Sequence, residues 1–173
     1  KITKTGSWEL DVQTGQTLWS DEVYAIHEVD KNFEHNKANA IEFYHPDYRD
    51  LISNALSKAI SEQAPFDEEL RFITANKTEK WVRSIGKPIV ENGKVTRIIG
   101  VFSDITERKQ TEQTLQEKTS FLSTIMETSP VGITTVDKTG TITYANNRAE
   151  QILGLEKKQI ISTTYDAPLW KHT

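Results

Sequence analysis

The passage from Val95 to Leu122 constrains the fold more than any other part of the chain. Apolar residues run up to Asp104-Ile105-Thr106, and a charged stretch free of Gly and Pro begins at once. The first part reads as a strand, Val95–Asp104, and the second as a helix from Glu107 to Glu127. A strand that feeds a helix without a loop is a mechanical joint: movement of the sheet must push on the helix. Within the strand, Ile98, Gly100 and Phe102 share one face and Ile99 and Val101 the other. Apolar residues on both faces imply that both are covered. Helices can cover one. The other needs a flanking helix or a second copy of the chain.

Upstream, Ser7 to Val12 alternates apolar and polar residues, as a half-buried strand does. Thr14-Gly15 makes a turn, and Gln16 to Ser20 is the partner strand. Ser20 or Asp21 can cap a short helix, Asp21 to Glu28, with Val23, Tyr24 and Ile26 facing inward. Residues 29–40 read as irregular and polar. A longer helix follows Tyr44-His45-Pro46-Asp47, with Pro46 at its first position, where a missing N–H costs nothing. Leu51, Ile52, Ala55, Leu56, Ala59 and Ile60 form its buried stripe. Strands are expected over Phe66–Thr74 and Lys80–Val90, joined by a turn at 75–79. Asn92-Gly93 then marks a tight hairpin into Val95–Asp104. The order β-β-α-α-β-β-β is an α+β fold: a five-stranded antiparallel sheet with helices inserted between strands 2 and 3.

A second element begins after the long helix. Val131 to Val136 is strand-like, Lys138-Thr139-Gly140 is a turn, Thr141 to Ala145 is a strand, and Asn146 caps a helix to Leu153. This repeats the opening plan about 125 residues later. Thr139-Gly140 matches Thr14-Gly15, and Tyr144-Ala145-Asn146 matches Trp19-Ser20-Asp21. The sequence stops at Thr173, so this copy is expected to be truncated. Its open sheet edge predicts that residues 131–173 are mobile or completed by another chain. A first residue other than Met suggests a fragment of something longer.

Composition excludes several functions. The chain has no cysteine, which removes disulfides, Cys-ligated zinc, thiol catalysis and flavin chemistry through a cysteinyl adduct. A net charge of −4 argues against nucleic acid as a partner. No apolar run approaches the roughly 20 residues of a membrane span.

The motifs Gly6-x-Trp8-Glu9-x-Asp11, Trp19-Ser20-Asp21-Glu22, His45-Pro46-Asp47-Tyr48-Arg49, Trp81-Val82-Arg83 and Gly100-Val101-x-x-Asp104-Ile105-Thr106-Glu107-Arg108-Lys109 resemble a PAS sensory domain. The variety is the PAS-3 type with its C-terminal PAC motif. The resemblance divides the chain into a PAS/PAC sensor domain at 1–106, a signalling helix of coiled-coil kind at 107–128, and the N-terminal half of a second PAS domain at 129–173. Tyr144-Ala145-Asn146 and Tyr165-Asp166-Ala167-Pro168-Leu169-Trp170 fit the last. It implies a cytoplasmic sensory module of a bacterial or archaeal signalling protein. That module would bind a small ligand or a partner and act on a downstream output domain, such as a histidine kinase or a cyclic-dinucleotide enzyme. The fragment itself is not expected to be an enzyme, since nothing supplies a nucleophile, a base and oxyanion donors together. A ligand-free dimerisation spacer is the alternative.

Asp104 and Thr106 are expected to couple the sheet to the exit helix, or simply to cap that helix. A ligand pocket between sheet and helices would draw on Tyr24, Phe43, Leu56, Leu70, Phe72, Ile98 and Phe102, with Arg71 and Arg83 suited to an anion. The plainer alternatives are core packing and, for the arginines, pairing with acidic neighbours such as Glu69. Leu115, Leu122, Ile125 and Met126 mark the linker helix as a marginal parallel coil that forms a homodimer together with the sheet. The competing reading is a solvated linker. No cofactor is identified. Haem and metal are not expected, because His27, His35 and His45 match no compact ligand spacing.

Overall fold

A computed structural model describes residues 4–167 of the chain. The chain divides between Thr111 and Glu112 into two compact units. In the first, β1 (Thr5–Asp11) and β2 (Thr17–Trp19) are followed by α1 (Asp21–His27), α2 (Lys37–Glu42) and α3 (Pro46–Ser61). Next come β3 (Phe66–Ile73), β4 (Glu79–Glu91) and β5 (Lys94–Asp104). The five strands form one antiparallel sheet in the order β2-β1-β5-β4-β3. The Asn92-Gly93 turn forms as expected: Glu91 pairs with Lys94, and the two turn residues have φ of 51° and 78°.

Alternation along the strands sends one set of side chains into the core. Leu10, Leu70, Phe72, Val82, Ile98 and Phe102 meet Val23 and Ile26 of α1 and Ile52, Leu56 and Ala59 of α3. Mid-sheet, Gly86 pairs with Gly100. A Cβ on Gly100 would strike the Ile85 carbonyl oxygen and lie 2.6 Å from the Trp8 indole, and one on Gly86 would strike the Phe66 ring. Trp8 and Phe66 stack over this bare rung with centroids 6.2 Å apart.

Two expectations need correction. Residues 29–40 are not wholly irregular, because α2 starts within them. Asn36 caps it, accepting from the amides of Ala38 and Asn39, while Asn39 reaches back to the Asn36 amide. In α3 the buried stripe is Ile52, Leu56 and Ala59; Leu51 is 43% exposed. Leu51 sits one residue, or about 100° of helix, ahead of that stripe and turns to solvent. Pro46 does occupy the first turn, capped by His45.

Helix α4 runs unbroken over Thr106–Thr128 and buries no residue. In the second unit, β6 (Thr134–Val136) and β7 (Ile142–Ala145) pair antiparallel, followed by α5 (Asn147–Leu153) and α6 (Lys157–Ile160). Ile142, Ala145, Ala149 and Ile160 form its core. β6 begins later than Val131 because Ile133 bonds Asn146 instead of a ladder partner: its amide donates to Asn146 Oδ1 at 2.8 Å.

The repeat holds at the turn and at the helix end but departs inside the helix, where Ile26 of α1 is buried and its counterpart Ile152 of α5 is 57% exposed. Asp11 Oδ1 accepts from the amide and hydroxyl of Thr14, and Asp137 Oδ1 accepts from those of Thr139. Gly15 and Gly140 both have positive φ, and α1 and α5 both end on a left-handed residue, Glu28 and Gly154. Of the terminal motif, Pro168, Leu169 and Trp170 lie outside the described residues. Among the described residues, no helix is long and apolar enough to cross a membrane.

Candidate functional site

Two features of the first unit carry chemistry or mechanics. The first is a cavity of about 60 Å³ between the sheet and its helices, lined among others by Trp8, Trp19, His27, Tyr44, Ser84 and Phe102. His27 comes from the last turn of α1, and its Nδ1 donates to the Val23 carbonyl at 2.8 Å. A carbonyl only accepts, so Nδ1 carries the proton and Nε2 keeps its lone pair. Burial pushes the His27 pKa down to about 4, so the ring is neutral near pH 7. Burial pushes the Tyr44 phenol up to about 12, moderated by a hydrogen bond with Ser84. Trp8 Nε1 is a buried N–H with no partner. The cavity wall thus combines aromatic side chains, a neutral imidazole and a serine.

The second feature is the joint at the end of β5. Only Ile105 separates β5 from α4. The Ile105 amide donates to the Trp81 carbonyl at 2.9 Å, and the Trp81 amide donates to Thr106 Oγ1 at 3.0 Å. The Thr106 amide donates to Asp104 Oδ1 at 3.0 Å. The first residue of α4 is therefore bonded to β4 as well as continued from β5. Glu69 of β3 adds an ionic tie, with Arg108 Nη2 at 2.5 Å and Lys109 Nζ at 2.6 Å. Lys109 also lies over the Trp81 ring, 5.1 Å from its centroid. The hydrogen bonds from Lys109 and then Arg108 hold the Glu69 carboxyl below its usual range.

A family model described as the PAS fold matches residues 16–102, and one described as a PAS domain matches residues 120–171. The chain belongs to the PAS family. It is 26% identical over 157 residues to the sensor protein FixL of Bradyrhizobium diazoefficiens, covering 90% of this chain and 31% of that protein. It is 22% identical over 157 residues to the probable diguanylate cyclase DgcE of Escherichia coli, covering 90% of this chain and 14% of that one. The chain thus spans about a third or less of the curated relatives it matches. A solved sensory box histidine kinase/response regulator from Burkholderia thailandensis superposes with a TM-score of 0.59 at 24% identity, over 69% of this chain and 91% of that one. The N-terminal domain of a diguanylate cyclase with PAS/PAC sensor from Marinobacter aquaeolei gives 0.57 at 16% identity, over 61% and 98%. These last two likenesses show the fold.

Within the PAS unit, the residues expected to form a pocket do not all meet. Leu56 and Phe102 line the cavity. Leu70, Phe72 and Ile98 are fully buried in the core beside it, and Phe43 is packed at its margin. Tyr24 turns its hydroxyl to His35 Nε2 at 2.6 Å, while His35 Nδ1 meets Thr17 Oγ1 at 2.5 Å. Arg71 and Arg83 follow the plainer alternative, pairing with acidic neighbours, though with Glu79 and Asp67 rather than Glu69. Strand alternation puts both on the face opposite Leu70, Phe72 and Val82, where Arg71 pairs with Glu79 and Arg83 with Asp67. Sequence reasoning missed Trp8 and Ser84 as wall residues, although both occupy inward positions of their strands. From sequence, His27 stands out only as a candidate haem or metal ligand. His27 and His35 instead flank the Trp19 ring at 4.1 and 4.2 Å. Among the described residues, no group of three His, Cys, Asp or Glu could hold a metal ion.

The outer face of the PAS sheet is partly apolar. Ile99 and Val101 are 39% and 37% exposed, and Leu18 beside them is 68% exposed. On α4, Leu115, Leu122 and Ile125 are exposed and Met126 is partly buried.

Proposed function

We propose that this chain is a sensory signal-transduction module whose first PAS unit responds to a small ligand or a partner and passes the change through α4 to an output domain. The output would be of the histidine kinase or cyclic-dinucleotide kind named among the relatives. The observation that carries the reading is the joint at Asp104–Thr106, where α4 is hydrogen-bonded to β4 and ion-paired to β3. A shift of either strand must move the helix or break those bonds. The module works as a homodimer: Leu115, Leu122 and Ile125 form a sparse apolar stripe on α4, and Ile99 and Val101 offer a second contact on the sheet. A sparse stripe suits a coil that changes register, because little apolar contact is lost on shifting.

The test is Asp104→Ala in a full-length protein that carries an output domain. Removing the carboxylate that accepts from Thr106 N should cost about 1 kcal/mol and leave the PAS unit folded. Regulation of output should be lost. Unchanged regulation would count against the proposal. The second reading, a ligand-free dimerisation spacer, is favoured by the small volume of the cavity. It predicts a dimer whose output never responds to any ligand.

A further inference from the structure

Helix α4 ends on a carboxylate of the wrong sign. Glu127 sits one residue before the C-terminus of α4, where the helix dipole is negative and an anion is unfavourable. Its partners explain its presence. Glu127 Oε2 accepts from the amide of Asn147, the first residue of α5, at 3.0 Å. There the dipole is positive and the anion is favourable. Glu127 Oε1 accepts from the Tyr144 hydroxyl of β7 at 2.9 Å and from Lys157 Nζ at the start of α6 at 3.0 Å. These bonds, first of all that from Lys157, lower the Glu127 pKa.

The backbone repeats the arrangement. Asn146 is completely buried. Its Nδ2 donates to the Met126 carbonyl at 2.7 Å, one of the last-turn carbonyls of α4 that no helical amide can reach. Its Oδ1 accepts from the amide of Ala149 at 2.9 Å, capping α5. Asn146 thus serves both helix ends, while Glu127 of α4 caps α5. Turning either helix breaks at least one of these bonds, although the Val131 carbonyl and the Ile133 amide still hold Asn146.

By the internal repeat, α5 stands in the second unit where α1 stands in the first. In the first unit, α1 supplies Val23 and His27 to the cavity wall. We infer that Glu127 is a coupling residue through which a displacement of α4 reaches α5, the element of the second PAS unit that corresponds to the cavity-lining helix of the first. The two PAS units would then act in series rather than side by side. By linkage, whatever moves α5 also acts back on α4. The inference rests on the proposed transmission through α4.

The experiment is amide hydrogen exchange on the whole 173-residue chain, with Thr106→Val as the disturbance at the start of α4 and Glu127→Gln as the block at its end. Gln keeps the shape of Glu and only one acceptor oxygen, so the second unit should stay folded. In the parent background, Thr106→Val should speed exchange along α4 and, by about threefold or more, at residues 147–153. In the Glu127→Gln background, the same disturbance should still loosen α4 but raise exchange at 147–153 clearly less than in the parent background, the Asn146 bridge carrying what remains. An equal response at 147–153 in both backgrounds would overturn the role of Glu127. So would a response along α4 that never reaches α5 in the parent background. A response confined to the first turn of α4 would instead sink the transmission reading beneath it.

Discussion

His27 should make the first PAS unit sensitive to mild acid. Its pKa is about 4 when folded and 6.5 in the unfolded chain. Above pH 6.5 the ring is neutral in both states and stability is at its maximum. As pH falls below 6.5, the unfolded chain takes up a proton that the folded one refuses, so folding weakens. With these two values, linkage gives a loss of about 2 kcal/mol between pH 7.5 and 5, rising to about 3 kcal/mol near pH 4. Salt-bridged carboxylates such as Asp67 and Glu69 act in the same direction, but contribute little above about pH 5, where unfolded carboxylates are still mostly ionised. The window from pH 7.5 to 5 thus isolates the histidines. His35 is also lowered by burial and contributes with the same sign. The assay is urea unfolding followed by tryptophan fluorescence, with Trp170 replaced by Phe in both proteins so that the signal comes from Trp8, Trp19 and Trp81 of the first unit, for the parent and for His27→Phe. Phe keeps the aromatic contacts with Phe43, Phe72 and Phe102 and cannot titrate. The variant should lose most of the pH dependence, whatever its stability at pH 7.5. The same loss on acidification in both proteins would refute the reasoning.

Two further outcomes follow from packing and from the exposed stripe. Gly100→Ala should cost about 3 kcal/mol or more in thermal or urea unfolding, because the new methyl meets a backbone carbonyl that cannot move aside. Gly86→Ala should cost less, about 1–3 kcal/mol, since the Phe66 ring can turn away. A Gly100→Ala cost below about 0.5 kcal/mol would mean that the β4–β5 register is wrong. Native mass spectrometry should show a dimer that Leu115→Asp with Leu122→Asp converts to a monomer. A monomer in the parent chain at high concentration would remove the coiled-coil proposal.

Much of the fold could be read from the sequence because it rests on signals with a local cause. Asn92-Gly93 fixes the β4–β5 hairpin through two positive φ angles, and Pro46 fixes the start of α3. The turns at Thr14-Gly15 and Thr139-Gly140 announce the repeat. The misses have local causes as well. Helix α2 is six residues long with little apolar periodicity, and its capping box uses Asn39 where Glu or Gln is the usual partner. Leu51 belongs to the apolar composition of α3 but not to its angle. The site was less legible than the fold. Arg71 and Arg83 looked available for a ligand because sequence alone does not say which face of a strand lies over helices. Trp8 and His27 became wall residues through contacts between elements far apart in the chain, which no local pattern encodes. Glu127 did leave a trace: an acid at the very end of a helix, where a base would be expected.

The glycine rung at the middle of the first sheet has a consequence for how the sheet bears load. Where β4 and β5 face each other at Gly86 and Gly100, neither strand contributes bulk, and β1 and β3 lend it by laying Trp8 and Phe66 across the gap. Two strands that are not neighbours thus touch directly, like a diagonal brace over a two-plank floor. A side chain of β3 is therefore in direct contact with one of β1, a contact the backbone ladder alone would not make.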